Sequence, residues 1–292
     1  MMSYNVLITG ASGEFGKRIS FQLLEKGHTV IASMREVSGK NSDIAKKLEK
    51  AGAYIIEIDV SSDDSVNQGI TKAIKITNCI DVVINNAGIG AFGFQESFTT
   101  KDWQKIFNVN LFGVQRVNRA ILTHMRLQNS GLIVHISSLI GRMIFPYWGP
   151  YSASKWALEA LAENYRVELL QLGIESCIIE PGPYPTTFFD TLMKPSDTQR
   201  VQSYGELSQM SIEFSNKFEE ALASNKAQNP QNVADAISLL IDKDIGKRPF
   251  RTVVDKMGIG EYITDYNKLQ EDITSNVYRS FCIEDMLNIK KV

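Results

Sequence analysis

The chain has 292 residues, 43% hydrophobic and 22% charged, which is the balance of a globular protein and excludes disordered, collagen-like and coiled-coil readings. Its 31 basic and 33 acidic side chains leave a net charge of -2, so no global basic field draws in nucleic acid or anionic lipid. Apolar runs fall short of the ~20 residues that span a bilayer, MMSYNVLITG lacks the basic start of a secretory leader, and Cys79, Cys177 and Cys282 have no metal-ligand spacing; a reduced, cytoplasmic protein without a metal is the expectation.

In chain order, NVLITG predicts a strand that ends in glycine. A helix follows from Glu14 to about Lys26, with Phe15, Ile19, Leu23 and Leu24 at helical spacing and Gly27 as its stop. TVIAS is a second strand, and the lysine-rich stretch 38–50 suits an exposed helix. AYIIEIDV is a third strand, and SSDDSVNQGI starts a helix. IDVVINNAG predicts a fourth strand, 100–128 a long helix, and LIVHISS a fifth strand. Ser152 to Leu172 reads as helix, IESCIIEPG as a sixth strand and RTVVD as a seventh. Alternating strands and helices predict an α/β fold: a doubly wound parallel sheet of about seven strands, helices on both faces, ligands at the strands' carboxyl ends. We expect one domain over 1–292. Residues 188–228 interrupt the rhythm and predict a lid over the substrate. Residues 258–292 form a C-terminal extension whose aromatics predict that it docks on the body.

The first strand opens into TGASGEFG, where Gly10, Gly13 and Gly16 precede an amphipathic helix. Glycines there let the backbone turn tightly and approach a pyrophosphate at the helix N-terminus, the Rossmann pattern for a dinucleotide. About 20 residues further on, an acid would bind the adenosine ribose and a base its 2′-phosphate. Met34 stands where the acid is expected, with Arg35 beside it, which favours NADP over NAD; Glu36 is the counter-argument.

Tyr151 and Lys155 are four apart at a helix start, so both project from one face. An ammonium near a phenol favours the phenolate and lowers its pKa, which suits acid–base work. Ser138 ends a strand thirteen residues earlier, at the ligand rim.

Together these residues resemble the short-chain dehydrogenase/reductase family over roughly residues 4–255. TGASGEFG is similar to its nucleotide-binding turn, Asp59-Val60 to its adenine-contacting pair, and Asn85-Asn86-Ala87-Gly88 to its NNAG motif. Asn110 in NVNLFG, Ser138 in ISS, and Tyr151 with Lys155 in YSASK match its catalytic tetrad. Pro181-Gly182 with Thr186 is similar to the segment that touches the nicotinamide. The resemblance implies hydride transfer between a nicotinamide and a carbon bearing oxygen. Tyr151 would be general acid or base, Lys155 would hold the ribose and tune Tyr151, Ser138 would bind the substrate oxygen, and Asn110 would anchor a water relay. The cofactor site it implies comprises Gly10, Ser12, Gly13, Phe15, Gly16, Arg35, Asp59, Val60, Asn86, Ala87, Gly88, Tyr151, Lys155, Pro181, Gly182 and Thr186. Two departures stand out. The single-domain branch would have glycine at Glu14, whereas Gly13 gives the spacing of sugar-nucleotide epimerases and dehydratases; and Tyr184-Pro185 is unusual beside Thr186.

Three segments are expected to converge on an apolar pocket: Phe92 and Phe94, then Met143, Phe145 and Trp148 beside Ser138, then Tyr184 and Phe188. They predict a bulky hydrophobic alcohol or carbonyl as substrate, and YSASKWALEALAE is locally similar to steroid- and retinol-type dehydrogenases. His28, His124 and His135 read as structural. The family also implies a homodimer or homotetramer built through the helices holding Asn110 and Tyr151. Two other readings stay open: a dinucleotide-binding sensor or scaffold without chemistry, and a sugar-nucleotide epimerase or dehydratase.

Overall fold

In the computed structural model, which describes residues 2–290, seven parallel strands form one sheet. They are β1 (Asn5–Ile8), β2 (Thr29–Met34), β3 (Tyr54–Glu57), β4 (Val82–Asn85), β5 (Gly131–Ile136), β6 (Ile174–Pro181) and β7 (Arg251–Val254), in the order β3-β2-β1-β4-β5-β6-β7. In the central strands alternate residues are buried on opposite faces, while the edge strands β3 and β7 are partly exposed. Val6 and Ile8 pack with α1 (Glu14–Glu25), α2 (Ser42–Lys50) and α9 (Gln231–Asp242). Leu7 packs with α3 (Asp63–Thr77), α5 (Gly113–Gln128) and α6 (Gly149–Leu169) on the other face. Burial on both sides is why the strands read as continuous apolar runs. Strand order reverses between β1 and β4, and a cleft opens at the carboxyl ends there.

The helical pattern over 100–128 is interrupted. α4 (Thr100–Phe107) and α5 are separated by a π-helical turn over Asn108–Phe112 that contains Asn110. Thr99 caps α4 in a reciprocal box with Asp102. The same Asp102 carboxylate accepts from the Ser196 hydroxyl (2.6 Å) and backbone N–H (3.2 Å). This bond, with Met193 N–H donating to Gly90 O (2.9 Å) and Phe92 N–H to Met193 O (3.1 Å), anchors the chain just before α7 (Thr198–Ser203) and α8 (Glu206–Ser224). Those two helices occupy the stretch 188–228.

Beyond β7 the Asp255 carboxylate accepts from the N–H groups of Ile259 and Gly260, both at 3.0 Å, and so caps α10 (Gly260–Ser280). α10 lies on the body, and of the aromatics that predicted docking Tyr266, 4.7 Å from the Arg142 guanidinium, and the half-buried Tyr278 face it. Ile263 and Asn267 are its buried side chains, while Tyr262 and Phe281 are 77% and 71% exposed. Among the described residues no helix is long and apolar enough to cross a membrane.

Candidate active site

The turn after β1 is built by contacts with the NNAG loop. Thr9 Oγ1 accepts from the N–H groups of Asn86 and Ala87, both at 3.1 Å, and Asn86 Nδ2 donates to the carbonyls of Thr9 (2.9 Å) and Gly10 (3.0 Å). Gly10 has φ +64, and a Cβ there would stand 2.8 Å from Ala87 Cα. Gly13 is the N-cap of α1 and lies on the cleft wall. Its nearest neighbour would be Gly10 O at 3.5 Å, so its missing side chain keeps open space in the cleft rather than room for the protein. Glu14 is paired with Lys17 (2.5 Å) and Arg18 (2.7 Å), which offsets its charge beside the helix N-terminus.

Around this turn runs a cleft of about 460 Å³. One end is lined by Arg35, Glu36, Lys40 and Asp59; the middle by Gly10, Ser12, Gly13, Phe15 and Asn86–Gly88; the other end by Ser138, Tyr151, Lys155, Pro181, Gly182 and Thr186. Burial raises the Asp59 carboxyl, but hydrogen bonds from Ser61, with Arg35 and Arg116 nearby, bring it below its ordinary value. Met34 is buried in the core and brings no charge to this end, as its apolar side chain requires.

At the other end Tyr151 and Lys155 rise from the first two turns of α6. Lys155 Nζ donates to Ile136 O at 2.7 Å and stands 5.7 Å from the centre of the Tyr151 ring. Ser138 Oγ donates to Pro181 O at 3.4 Å. Asn110 closes the group from below. Its carboxamide oxygen accepts from Ile89 N–H (2.9 Å), and its Nδ2 donates to Ile89 O (2.9 Å) and Ser154 Oγ (3.0 Å). One charge expectation reverses. Burial pushes the Tyr151 phenol above its ordinary value of 10.0, with Ser138 offsetting part of the rise. Burial also lowers Lys155 to about 8, while Glu159 pulls it up. Removal from water disfavours the phenolate, and only the Ser138 hydroxyl acts against it.

Met143, Phe145, Trp148, Tyr184 and Phe188 line the cleft, but Phe92 and Phe94 do not. Phe92 is buried edge-on against Trp148 (5.4 Å), and Phe94 stacks on Tyr204 beyond α7 (3.8 Å). They follow β4 on the far side of Tyr147 and Trp148, which screen them from the cleft. Tyr184 is 2% exposed, edge-on to Phe15 (5.6 Å), with its hydroxyl donating to Val254 O (3.3 Å); it belongs more to the floor than to an open pocket. Val60 lines the wall beside Asp59.

A family model described as short chain dehydrogenase matches residues 4–197. The chain belongs to the short-chain dehydrogenase family. It is 33% identical to a 3-ketodihydrosphingosine reductase of Bacteroides thetaiotaomicron over 249 residues, 85% of this chain and 87% of the relative. It is also 33% identical to retinol dehydrogenase 8 of Homo sapiens over 245 residues, 80% and 76% of the two chains. A short-chain dehydrogenase from Streptomyces avermitilis superposes with TM-score 0.75 at 26% identity, covering 96% of this chain and 98% of that one. The NADP-bound structure of ElxO does so at 0.70 and 27%, covering 90% and 100%.

This short-chain dehydrogenase has residues in and behind the cleft that the motifs did not reveal. Thr9 clamps the NNAG loop, and its place just before Gly10 is a usable signal. Lys40 reaches the Arg35 end, but a lysine inside a lysine-rich stretch has nothing to single it out. Phe218 of α8 lines the opposite end. It repeats Phe214 four residues on in a polar helix, a pairing that the sequence does display.

Proposed function

We propose that this oxidoreductase uses NADP, with NAD as the weaker alternative, to interconvert a bulky hydrophobic alcohol and its carbonyl. The observation that carries the reading is the convergence of Ser138, Tyr151, Lys155 and Asn110 at one end of the cleft whose other end holds Arg35 and Lys40. A dinucleotide fits the residues present. The open space at Gly13 and the free N–H groups of the α1 start suit a pyrophosphate; Arg35 and Lys40 suit a 2′-phosphate, with Glu36 and Asp59 the acids that oppose it at the same end. Bound there, the nicotinamide supplies or accepts the hydride.

The chain's own groups handle the proton. A phenol held above its ordinary value stays protonated through neutral pH, so Tyr151 is ready to donate to the oxygen of a carbonyl becoming an alkoxide. The positive charge of Lys155 then stabilises the phenolate left behind. Ser138 Oγ, on the same rim, donates to the substrate oxygen as charge develops on it. Asn110, rigid through three hydrogen bonds, holds the Ile89 loop and serves as the anchor for a water that resupplies protons. Trp148, Phe188, Phe145 and Phe218 give the substrate end an apolar wall. The names of the two relatives, a 3-ketodihydrosphingosine reductase and a retinol dehydrogenase, support a lipid-like substrate. Assembly as a homodimer or homotetramer through α4–α6 is part of the proposal, and the half-exposed Phe112 at the head of α5 supports it.

Fluorescence titration with NADPH and NADH, followed by a carbonyl screen with the better binder, tests the reading. We expect at least a ten-fold preference for NADPH, about 1.4 kcal/mol. Tyr151→Phe is expected to abolish turnover while still binding NADPH. Tight binding with no carbonyl reduced would make the protein a dinucleotide sensor, and NAD retained through purification would favour an epimerase.

A further inference from the structure

A cluster of buried charges lies directly behind the cleft, and the proposed chemistry does not use it. Glu180, fully buried, precedes Pro181 on β6. Its Oε2 accepts from Asn267 Nδ2 of α10 at 2.6 Å, and the guanidinium groups of Arg142 and Arg251 approach its Oε1 at 3.8 and 3.7 Å. Arg142, four residues past Ser138, donates to Asn267 Oδ1 (2.9 Å) and to Gln270 Oε1 (2.5 Å), with the Tyr266 ring 4.7 Å away. Arg251 of β7 donates to Glu159 (3.0 Å) and Glu163 (3.1 Å) of α6, and Gln270 donates to the same Glu163 oxygen at 2.7 Å. Glu159 is buried one helical turn beyond Lys155.

Three of the segments that carry site residues thus send charged side chains into a common cluster. The Ser138 turn sends Arg142, α6 sends Glu159, and the strand leading to Pro181-Gly182 sends Glu180. Amides from α10 bond to the first and the last and so tie them together. Burial, then the neighbouring Glu159, raises Glu180 well above the ordinary carboxylate range. Two guanidinium groups thus face three carboxyl groups, Glu159, Glu163 and Glu180. Glu159 and Glu180 each keep one buried oxygen without a hydrogen-bond partner, so the cluster relies on the bonds it does make, and losing one is costly.

We propose that α10 is a positioning element of the active site: through Asn267 and Gln270 it holds Arg142 and Glu180, and thereby fixes the Ser138 hydroxyl and the Pro181-Gly182 segment against Tyr151 and Lys155. The kinetic part of this inference rests on the dehydrogenase reading above; the structural part does not. A misplacement of about 1 Å among reacting groups lowers a rate by roughly 100-fold, so a clamp outside the cleft can govern turnover.

The test uses the full chain and the variants Asn267→Ala and Arg142→Lys, the latter keeping the charge but lacking the planar fork whose separate nitrogens reach Asn267 and Gln270. Hydrogen exchange is followed in peptides covering 138–145, 181–187 and, as control, 5–25. We expect both site peptides to exchange at least about fivefold faster while the control is unchanged. With a carbonyl from the screen, kcat is expected to fall about 10- to 100-fold at an NADPH Kd within about threefold of wild type. Glu180→Gln, which still accepts from Asn267, is expected to recover most of the kcat lost in Glu180→Ala. Faster exchange confined to α10, or an unchanged kcat per NADPH-binding site, overturns the proposal. Should Asn267→Ala not fold, Gln270→Ala is read the same way. If wild type reduces nothing, the dehydrogenase reading fails and the exchange pattern alone decides this one.

Discussion

Gly10, Gly13 and Gly16 make one motif but answer to different demands. At Gly10 the backbone has φ +64 and Ala87 leaves no room for a Cβ; at Gly16 a Cβ would meet Gly10 O at 2.5 Å and Ala11 Cα at 2.7 Å. Both are required by the protein's own packing. Gly13 has φ -72 and ψ 166, which any residue adopts, and nothing but Gly10 O nearby. Its substitution therefore separates folding from binding. Gly13→Ala is expected to change stability by less than about 1 kcal/mol, because the freedom lost by the unfolded chain is offset by alanine's poorer fit at the N-cap of α1. The same methyl stands where a phosphate would lie, so NADPH is expected to bind at least about tenfold more weakly, about 1.4 kcal/mol. Thermal unfolding and fluorescence titration on one sample read both effects. A variant that binds NADPH like wild type would show that the pyrophosphate lies elsewhere.

Among elements, α8 carries the clearest consequence for substrate choice. Phe218 lines the cleft and contacts Phe145 (5.8 Å) and Phe189 (6.0 Å), while Met210 on the same helix is 55% exposed. Phe218→Ala is expected to raise KM for a bulky carbonyl about 5- to 20-fold, equivalent to roughly 1–2 kcal/mol of apolar contact. KM for a small carbonyl and Kd for NADPH should not move, and Met210→Ala should change none of the three. An equal rise for small and bulky substrates would mean that α8 supports the site without forming its wall. What could be read in advance follows the same physics. Strands buried on both faces announce themselves by β-branched runs, and a tyrosine and lysine one turn apart on a helix can point only one way. The π turn at Asn108–Phe112 was hidden because an extra residue in a helix leaves the apolar pattern nearly intact. That α10 docks was legible, but the contacts it uses were not. Its inward face mixes Ile263 with Asn267 and Gln270 while Tyr262 and Phe281 face outward, so hydrophobic patterning does not separate the two faces. Phe92 and Phe94 were misplaced because adjacency to a motif says nothing of which side of Trp148 a ring will occupy.

For the whole molecule, the buried ionisable groups shape how stability depends on pH. His135 is completely buried with neither ring nitrogen partnered, and burial, with Lys155 nearby, lowers it from 6.5 to about 3. Between those values the unfolded chain takes a proton that the folded chain refuses, so stability falls as pH drops, by up to about 1.4 kcal/mol per unit. Glu180 acts with the opposite sign. Its folded value lies above the ordinary 4.5, so over that window the folded chain keeps a proton that the unfolded chain has lost, and stability falls as pH rises. The two slopes oppose each other between 4.5 and 6.5 and separate outside that window. Urea unfolding at several pH values should therefore show His135→Asn with a flatter acid limb below 6.5. Glu180→Gln should be flatter above it, each relative to wild type. Either substitution also shifts the absolute level through packing, but packing does not titrate, so the slopes carry the argument. Parallel curves for wild type and both variants would mean that these two groups titrate alike in the folded and unfolded chains.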